Sequence, residues 1–188
     1  MDSHTSIVLV LHNIRSLHNV GSIFRTADAA GIEKIYLCGI TPAPLDRFGN
    51  IRPEIAKVAL GAEKTVLWEK VFRVARMIDI LKKDDYRIFA VEQSQKAIPY
   101  DAVKIKKRGL KIALILGNEV KGLPSSILNR ADTILEIPMS GVMVRSAHHP
   151  RHVTCLRAPI DHRRDVRGAR AHQGPDPRQR RRFPRRHD

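Results

Sequence analysis

The stretch Ile112-Ala-Leu-Ile-Leu-Gly-Asn-Glu-Val-Lys-Gly-Leu-Pro124 stops an aliphatic run at a glycine loop and leads out of the loop through a proline. The continuous apolar run Ile112 to Leu116 is what a parallel strand buried on both faces requires. The carboxyl end of such a strand is the ligand edge of an open α/β sheet. Gly117 and Gly122 permit φ > 0 and close backbone approach, and Asn118, Glu119 and Lys121 between them put polar groups beside that edge. The spacing is also half of a P-loop. Leu123-Pro124 stands where a P-loop carries its phosphate-binding Lys and its magnesium-binding Ser or Thr, which argues against nucleoside triphosphate hydrolysis. No G-x-G-x-x-G follows a strand, so a nicotinamide-type oxidoreductase lacks its fingerprint. By pattern alone the segment reads either as a plain strand-to-helix turn or as a ligand loop.

Outward from this centre the chain alternates strands and helices. Ile7 to Leu11 reads as a first buried strand, and Asn19 as the N-cap of a helix over Val20 to Ala30 whose Val20, Ile23, Phe24 and Ala27 share a face, with Gly31 as its stop. On spacing alone Arg25 is a solvated charge of that helix. Lys34 to Cys38 is the second strand, and a loop runs from Gly39 to about Arg52, where Asp46, Arg47 and Arg52 read either as phosphate contacts or as ordinary surface charges. Pro53 opens a short helix to Leu60. Thr65 to Leu67 reads as a short strand, Glu69 to Lys83 as an amphipathic helix, and Trp68 as a core residue. Tyr86 to Glu92 is another central strand, Gln93 to Tyr100 its following loop, Pro124 to Arg130 a short helix and Thr133 to Ile137 a last strand. The fold class is α/β, an open and mostly parallel sheet flanked by helices.

With 188 residues the chain suits one domain with a tail. Cys38 and Cys155 make neither a disulfide framework nor a metal site, so no metal is expected. The first residues carry no signal-peptide pattern and no apolar run reaches membrane-span length, which gives a soluble, cytoplasmic expectation with no membrane partner. The net charge of +15 points to a polyanion, and it is uneven. Residues 1 to 141 carry 12 Lys and 9 Arg against 15 acids, whereas residues 142 to 188 carry 13 Arg and no Lys against 4 Asp. The division is therefore a body, residues 1 to 141, and an arginine-rich tail, residues 142 to 188.

Three segments together resemble the SpoU, or TrmH-like, RNA 2′-O-ribose methyltransferases of the SPOUT superfamily. Asn19-Val-Gly-Ser-Ile-Phe-Arg25 with Ala27 to Gly31 looks like the first motif of that family, Leu114 to Leu123 like the second, and Ile137-Pro-Met-Ser-Gly141 like the beginning of the third. The resemblance implies a deep trefoil knot that binds S-adenosylmethionine, a topology that periodicity could not foresee. It also implies a homodimer with the active site near the dimer interface, and tRNA or rRNA as substrate. A ribose 2′-hydroxyl attacks the methyl of a sulfonium, so a site must align the two and stabilise the oxygen as its proton leaves. By resemblance the catalytic residues are Arg25, Asn19, which positions Arg25 or the ribose, and Glu119, which orients cofactor or RNA. Leu116, Gly117, Asn118, Gly122, Ile137 and Met139 would hold the cofactor. Guanidinium stays protonated, which suits Arg25 to stabilising an alkoxide or phosphate rather than taking a proton.

After Gly141 the chain departs from the family. A Ser-Leu-Asn-Val-Ser-like segment opening an apolar helix is expected there, and Val142-Met-Val-Arg-Ser-Ala-His-His-Pro150 stands in its place. The tail reads either as a disordered arginine-rich arm that binds RNA or as an out-of-frame end that leaves the knot without its closing helix and weakens cofactor binding. Two functions follow from these readings: an RNA ribose methyltransferase, or a non-catalytic RNA-binding protein that uses the basic tail.

Overall fold

The computed structural model describes residues 5–104 and 109–138. Among the described residues seven parallel strands form one sheet: β1 (Ser6–His12), β2 (Lys34–Cys38), β3 (Leu67–Val71), β4 (Tyr86–Val91), β5 (Ile98–Pro99), β6 (Lys111–Leu116) and β7 (Thr133–Glu136), in the order β3-β2-β1-β6-β4-β7-β5. The aliphatic strands read from sequence occupy the middle of the sheet. Their side chains alternate between two layers, as a pleated strand dictates. Val8, Val10, Ala113 and Ile115 pack with Ile88 and Ala90 beneath α4 (Val74–Lys83), through Val74, Met77, Ile78 and Leu81. On the other face Leu9, Leu11, Ile35 and Leu37 pack with Val20, Phe24 and Ala27 of α1 (Leu17–Ala29), together with α2 (Pro53–Ala59) and α3 (Ala62–Thr65). Trp68, half-buried, packs against that second layer, in line with its reading as core.

Two readings of local sequence are corrected by the structure. Asn19 is not the N-cap of α1: the helix starts at Leu17, three residues before the expected Val20, and the Ser16 side chain accepts the Asn19 backbone N–H. The stop at Gly31 stands, because Gly31 has φ of 67° and the backbone N–H groups of Gly31 and Ile32 reach back to Asp28 and Ala27. The amphipathic helix is also shorter than Glu69 to Lys83. Its first residues belong to β3, which pairs in parallel with β2 from Lys34↔Leu67 to Cys38↔Val71, and the hydrogen bonds on offer at that sheet edge override a helical apolar period. The same shift moves the expected strand at Thr65 to Leu67, and Ala62–Thr65 becomes a helical turn instead. A further short α-helix, α5 (Ser125–Leu128), follows the glycine loop as expected of Pro124. The expected knot, the domain boundary at Gly141, Met139 and the tail lie outside the described residues.

Candidate functional site

The carboxyl ends of β1, β6, β4 and β7 lie side by side, so the loops that leave them share one edge of the sheet. Leu116 of β6 is in register with Leu11 of β1 and Val91 of β4, and Val91 in turn with Leu135 of β7. The starts of the loops after β6 and β7 are thus two strand spacings apart, about 9–10 Å. That gap is set by β4, inserted between the strands that carry the second and third motifs.

The loop after β6 folds back on itself, with Asn118 and Gly122 bridged in antiparallel fashion. Both glycines are demanded by this turn. A Cβ on Gly117 would stand 2.7 Å from the Gly122 carbonyl carbon and 2.8 Å from Leu123 N, and Gly122 has φ of 65°. Asn118, 8 % exposed, uses its whole side chain inside the protein: Nδ2 donates to Asn13 O at 2.7 Å, while Oδ1 accepts the N–H groups of Val120 and Lys121, each at 2.9 Å. A nucleoside at this edge would meet Asn118 through its backbone. Glu92, just past β4, closes the far side by accepting Leu123 N at 2.7 Å and Gln93 N at 3.1 Å.

Glu119 reaches from this loop to the start of α1. Its carboxylate accepts the backbone N–H groups of Arg15 at 3.2 Å and Ser16 at 3.2 Å, and Asn19 Nδ2 at 3.0 Å. Two segments a hundred residues apart in sequence are joined here by one side chain. Burial acts to raise the Glu119 pKa, but the bonds from backbone N–H groups, including those of Arg15 and Ser16, and from Asn19 together outweigh it and hold the carboxyl below the ordinary glutamate range. The carboxylate is ionised and fully employed, so Glu119 and Asn19 shape the site by fixing the α1 entry.

The neighbouring loop after β1 is fastened from two more sides. Asn13, with φ of 58°, accepts Ile40 N through Oδ1 at 3.1 Å, and buried Thr41 accepts Ile14 N at 3.1 Å while donating to Leu11 O at 3.0 Å. Lys70 Nζ donates to the carbonyls of Gly39 at 2.6 Å and Thr41 at 2.5 Å. The loop after β2 is therefore tied to the same edge as Glu119. His12, at the end of β1, pairs with the Asn13 amide at 3.1 Å, and burial pushes its pKa down.

Of the residues singled out by sequence, Asn19 and Glu119 touch each other, and Leu116, Gly117, Asn118 and Gly122 form the adjacent strand end and turn. Ile137 follows β7 and is exposed, and Met139 lies beyond the described residues. Among the described residues Arg25 makes no hydrogen bond or ion pair with this group. It lies six residues beyond Asn19 on α1, about 9 Å along the axis, exposed and without an ion pair or side-chain hydrogen bond among the described residues. Sequence reading missed Glu92, Asn13, Thr41 and Lys70. Glu92 carried a signal, since an acid closing a buried strand at the ligand edge is seldom idle; the other three become visible only once the loops are placed together. Among the described residues no three His, Cys, Asp or Glu side chains converge to hold a metal, and no helix is long and apolar enough to cross a membrane.

Known proteins are similar to this chain in sequence and in fold. A Staphylococcus aureus protein assigned to the TrmH family of tRNA/rRNA methyltransferases is 29% identical over 136 residues, covering 72% of this chain and 51% of its own length. The chain spans about half the length of the curated relatives it matches. In fold it is similar to an AdoMet-bound rRNA methyltransferase from Sinorhizobium meliloti, with a TM-score of 0.65 at 24% identity over 74% of this chain and 50% of that one. A second structure, described as giving insights into the 2-OH methylation of C/U34 on tRNA, has a TM-score of 0.58 at 27% identity over 74% of this chain and 83% of that one. The model of the SpoU rRNA Methylase family matches residues 6–146, from β1 to five residues past Gly141, and on that match the chain belongs to the SpoU rRNA methylase family.

Proposed function

We propose that the chain is an S-adenosylmethionine-dependent RNA methyltransferase that methylates a ribose 2′-hydroxyl of tRNA or rRNA. The observation that carries this reading is the Glu119 carboxylate, which ties the first motif to the second at the ligand edge of the sheet. The fit of the cofactor is supported by the local chemistry. The half-buried Leu116 and exposed Ile137 offer apolar surface for a purine, and the Gly117 to Gly122 turn, too tight for any side chain at Gly117, offers backbone groups for the purine edge and ribose. S-adenosylmethionine supplies an electrophilic methyl group on a sulfonium.

The chain's own residues then have distinct tasks. Glu119 and Asn19 are positioning residues that fix where α1 begins, and the rigid helix carries that position on to Arg25. The Arg25 guanidinium, always charged, meets the 2′-oxygen or its neighbouring phosphate and stabilises negative charge as the hydroxyl proton leaves. The family resemblance extends the reading to a cytoplasmic homodimer with Met139 at the cofactor. The S. meliloti structure with AdoMet and the tRNA 2-OH methylation structure support the cofactor and the position of attack.

The test is product analysis. The purified chain, incubated with S-adenosylmethionine and bulk tRNA or rRNA, should yield 2′-O-methylated nucleosides on nuclease digestion and mass spectrometry. Base-methylated nucleosides alone, or RNA binding without any transfer, would contradict it.

A further inference from the structure

The loop after β2 carries a small structure that neither the methyl-transfer chemistry nor the cofactor needs. Leu45 and Ile51 are bridged in antiparallel fashion, and Arg52 N reaches Pro44 O at 2.8 Å, so the loop is a pinned hairpin with Asp46 to Asn50 as its tip. Asp46 organises that tip from within. Its Oδ1 accepts Phe48 N at 2.8 Å and Asn50 N at 2.9 Å, its Oδ2 accepts Asn50 Nδ2 at 3.3 Å, and its own N–H reaches Asn50 O at 2.8 Å. The one acid of the tip is thereby turned inward. What faces solvent is Phe48, 73 % exposed, with the Arg47 guanidinium carbon 4.6 Å from its ring centroid.

Exposure alone does not mark Phe48, since Phe72 is 86 % exposed; what sets Phe48 apart is its place on a turn pinned by Asp46 with a guanidinium over its ring. A stacked cation on one face of the ring leaves the other face for a flat partner, and an unpaired nucleobase is flat, apolar in its faces and attached to a phosphate that Arg47 can meet. The hairpin is also placed for substrate. Its stem begins at Ile40 and Thr41, which are hydrogen-bonded to Asn13 and Ile14 in the loop that Glu119 clamps. Its far end runs into Pro53 of α2, and α2 touches Gly21 of the helix that bears Arg25. We propose that Arg47 and Phe48 form a stacking platform for an unpaired base of the RNA, positioning the substrate strand across the site; this rests on the proposed function, whose RNA it engages.

The experiment is binding of a single-stranded 12-nucleotide RNA with a central 2-aminopurine to the full chain, without cofactor, across a salt series. Phe48→Ala should weaken binding by about fivefold to a hundredfold with the salt dependence unchanged, and Phe48→Trp should restore it, as a stacking contact demands. Arg47→Ala should lower the slope of log affinity against log salt by about one. Unchanged circular dichroism of Phe48→Ala would place the loss in the contact rather than in folding. Affinity of Phe48→Ala within twofold of the unsubstituted chain would overturn the platform, also where that chain methylates RNA and the proposed function stands. Weakened binding by Phe48→Ala in a chain that transfers no methyl would uphold the platform while the proposed function fails. A shift of Phe48→Ala to smaller sedimenting species with RNA affinity unchanged would overturn it in favour of a contact between copies of the chain.

Discussion

Glu119 faces three donors from the start of α1, and each bond to an ionised acceptor is stronger than its neutral counterpart. Replacement by Gln keeps the shape but turns an amide N–H toward N–H donors. The variant should lose about 1 kcal/mol of stability by urea denaturation, a figure already reduced for the solvent screening of a half-exposed group. Because the folded carboxyl is held below its ordinary range, the clamp is fully present above that range and is lost as pH falls through the lowered value. Amide exchange at Arg15 and Ser16 should therefore stay slow from neutrality down through the ordinary glutamate range and quicken only below it. Uniform protection down to the acid unfolding transition would show that the carboxylate does not hold these amides. Gly122→Ala tests the other side of the loop. A left-handed residue costs about 1–2 kcal/mol without glycine, and here the new Cβ would also stand 2.1 Å from Glu92 Oε2. A loss at or above that range is expected in denaturant melts, with S-adenosylmethionine affinity falling in parallel by calorimetry.

At the scale of elements, the packing of α1 on α2 decides where Arg25 stands. Gly21 lies where the two helices touch, and a Cβ there would be 2.8 Å from Ile55 O and 2.9 Å from Val58 Cβ. Two effects compete in Gly21→Ala. Helix propensity gains up to about 1 kcal/mol, whereas overpacking against backbone costs about 1–3 kcal/mol. The backbone contact cannot rotate away, so the variant should be net destabilised and should lose methyl transfer more than stability, as α1 moves off its seat. A stabilised, fully active Gly21→Ala chain would contradict this packing account. The same elements show what sequence can and cannot disclose. Lys34–Cys38 is read from sequence with its observed bounds and Lys111–Leu116 to within a residue, because each is an apolar-rich run stopped by a glycine, Gly39 and Gly117. β3 is illegible because Leu67–Val71 alternates weakly on a sheet edge and merges into the apolar period of α4. Only its pairing with β2 separates the two.

In the whole molecule, the parallel order of the strands converts three distant sequence segments into neighbours at one edge. Resemblance gave Asn19, Glu119 and Arg25 a shared site, but no spacing rule states that Glu119 holds the backbone of Arg15 and Ser16, or that β4 sets the gap between the second and third motifs. Those facts depend on strand order, which local pattern does not encode. The central claim is that this edge performs RNA methyl transfer with Arg25 as its charge-stabilising group. It is tested most directly by transfer of labelled methyl from S-adenosylmethionine to bulk tRNA and rRNA, compared between the chain and Arg25→Ala. Loss of one preorganised charge at the reacting oxygen should lower the rate by about a hundredfold or more, with cofactor affinity retained. Equal incorporation by the two chains would contradict the role of Arg25, and no incorporation by the unsubstituted chain would contradict the function itself.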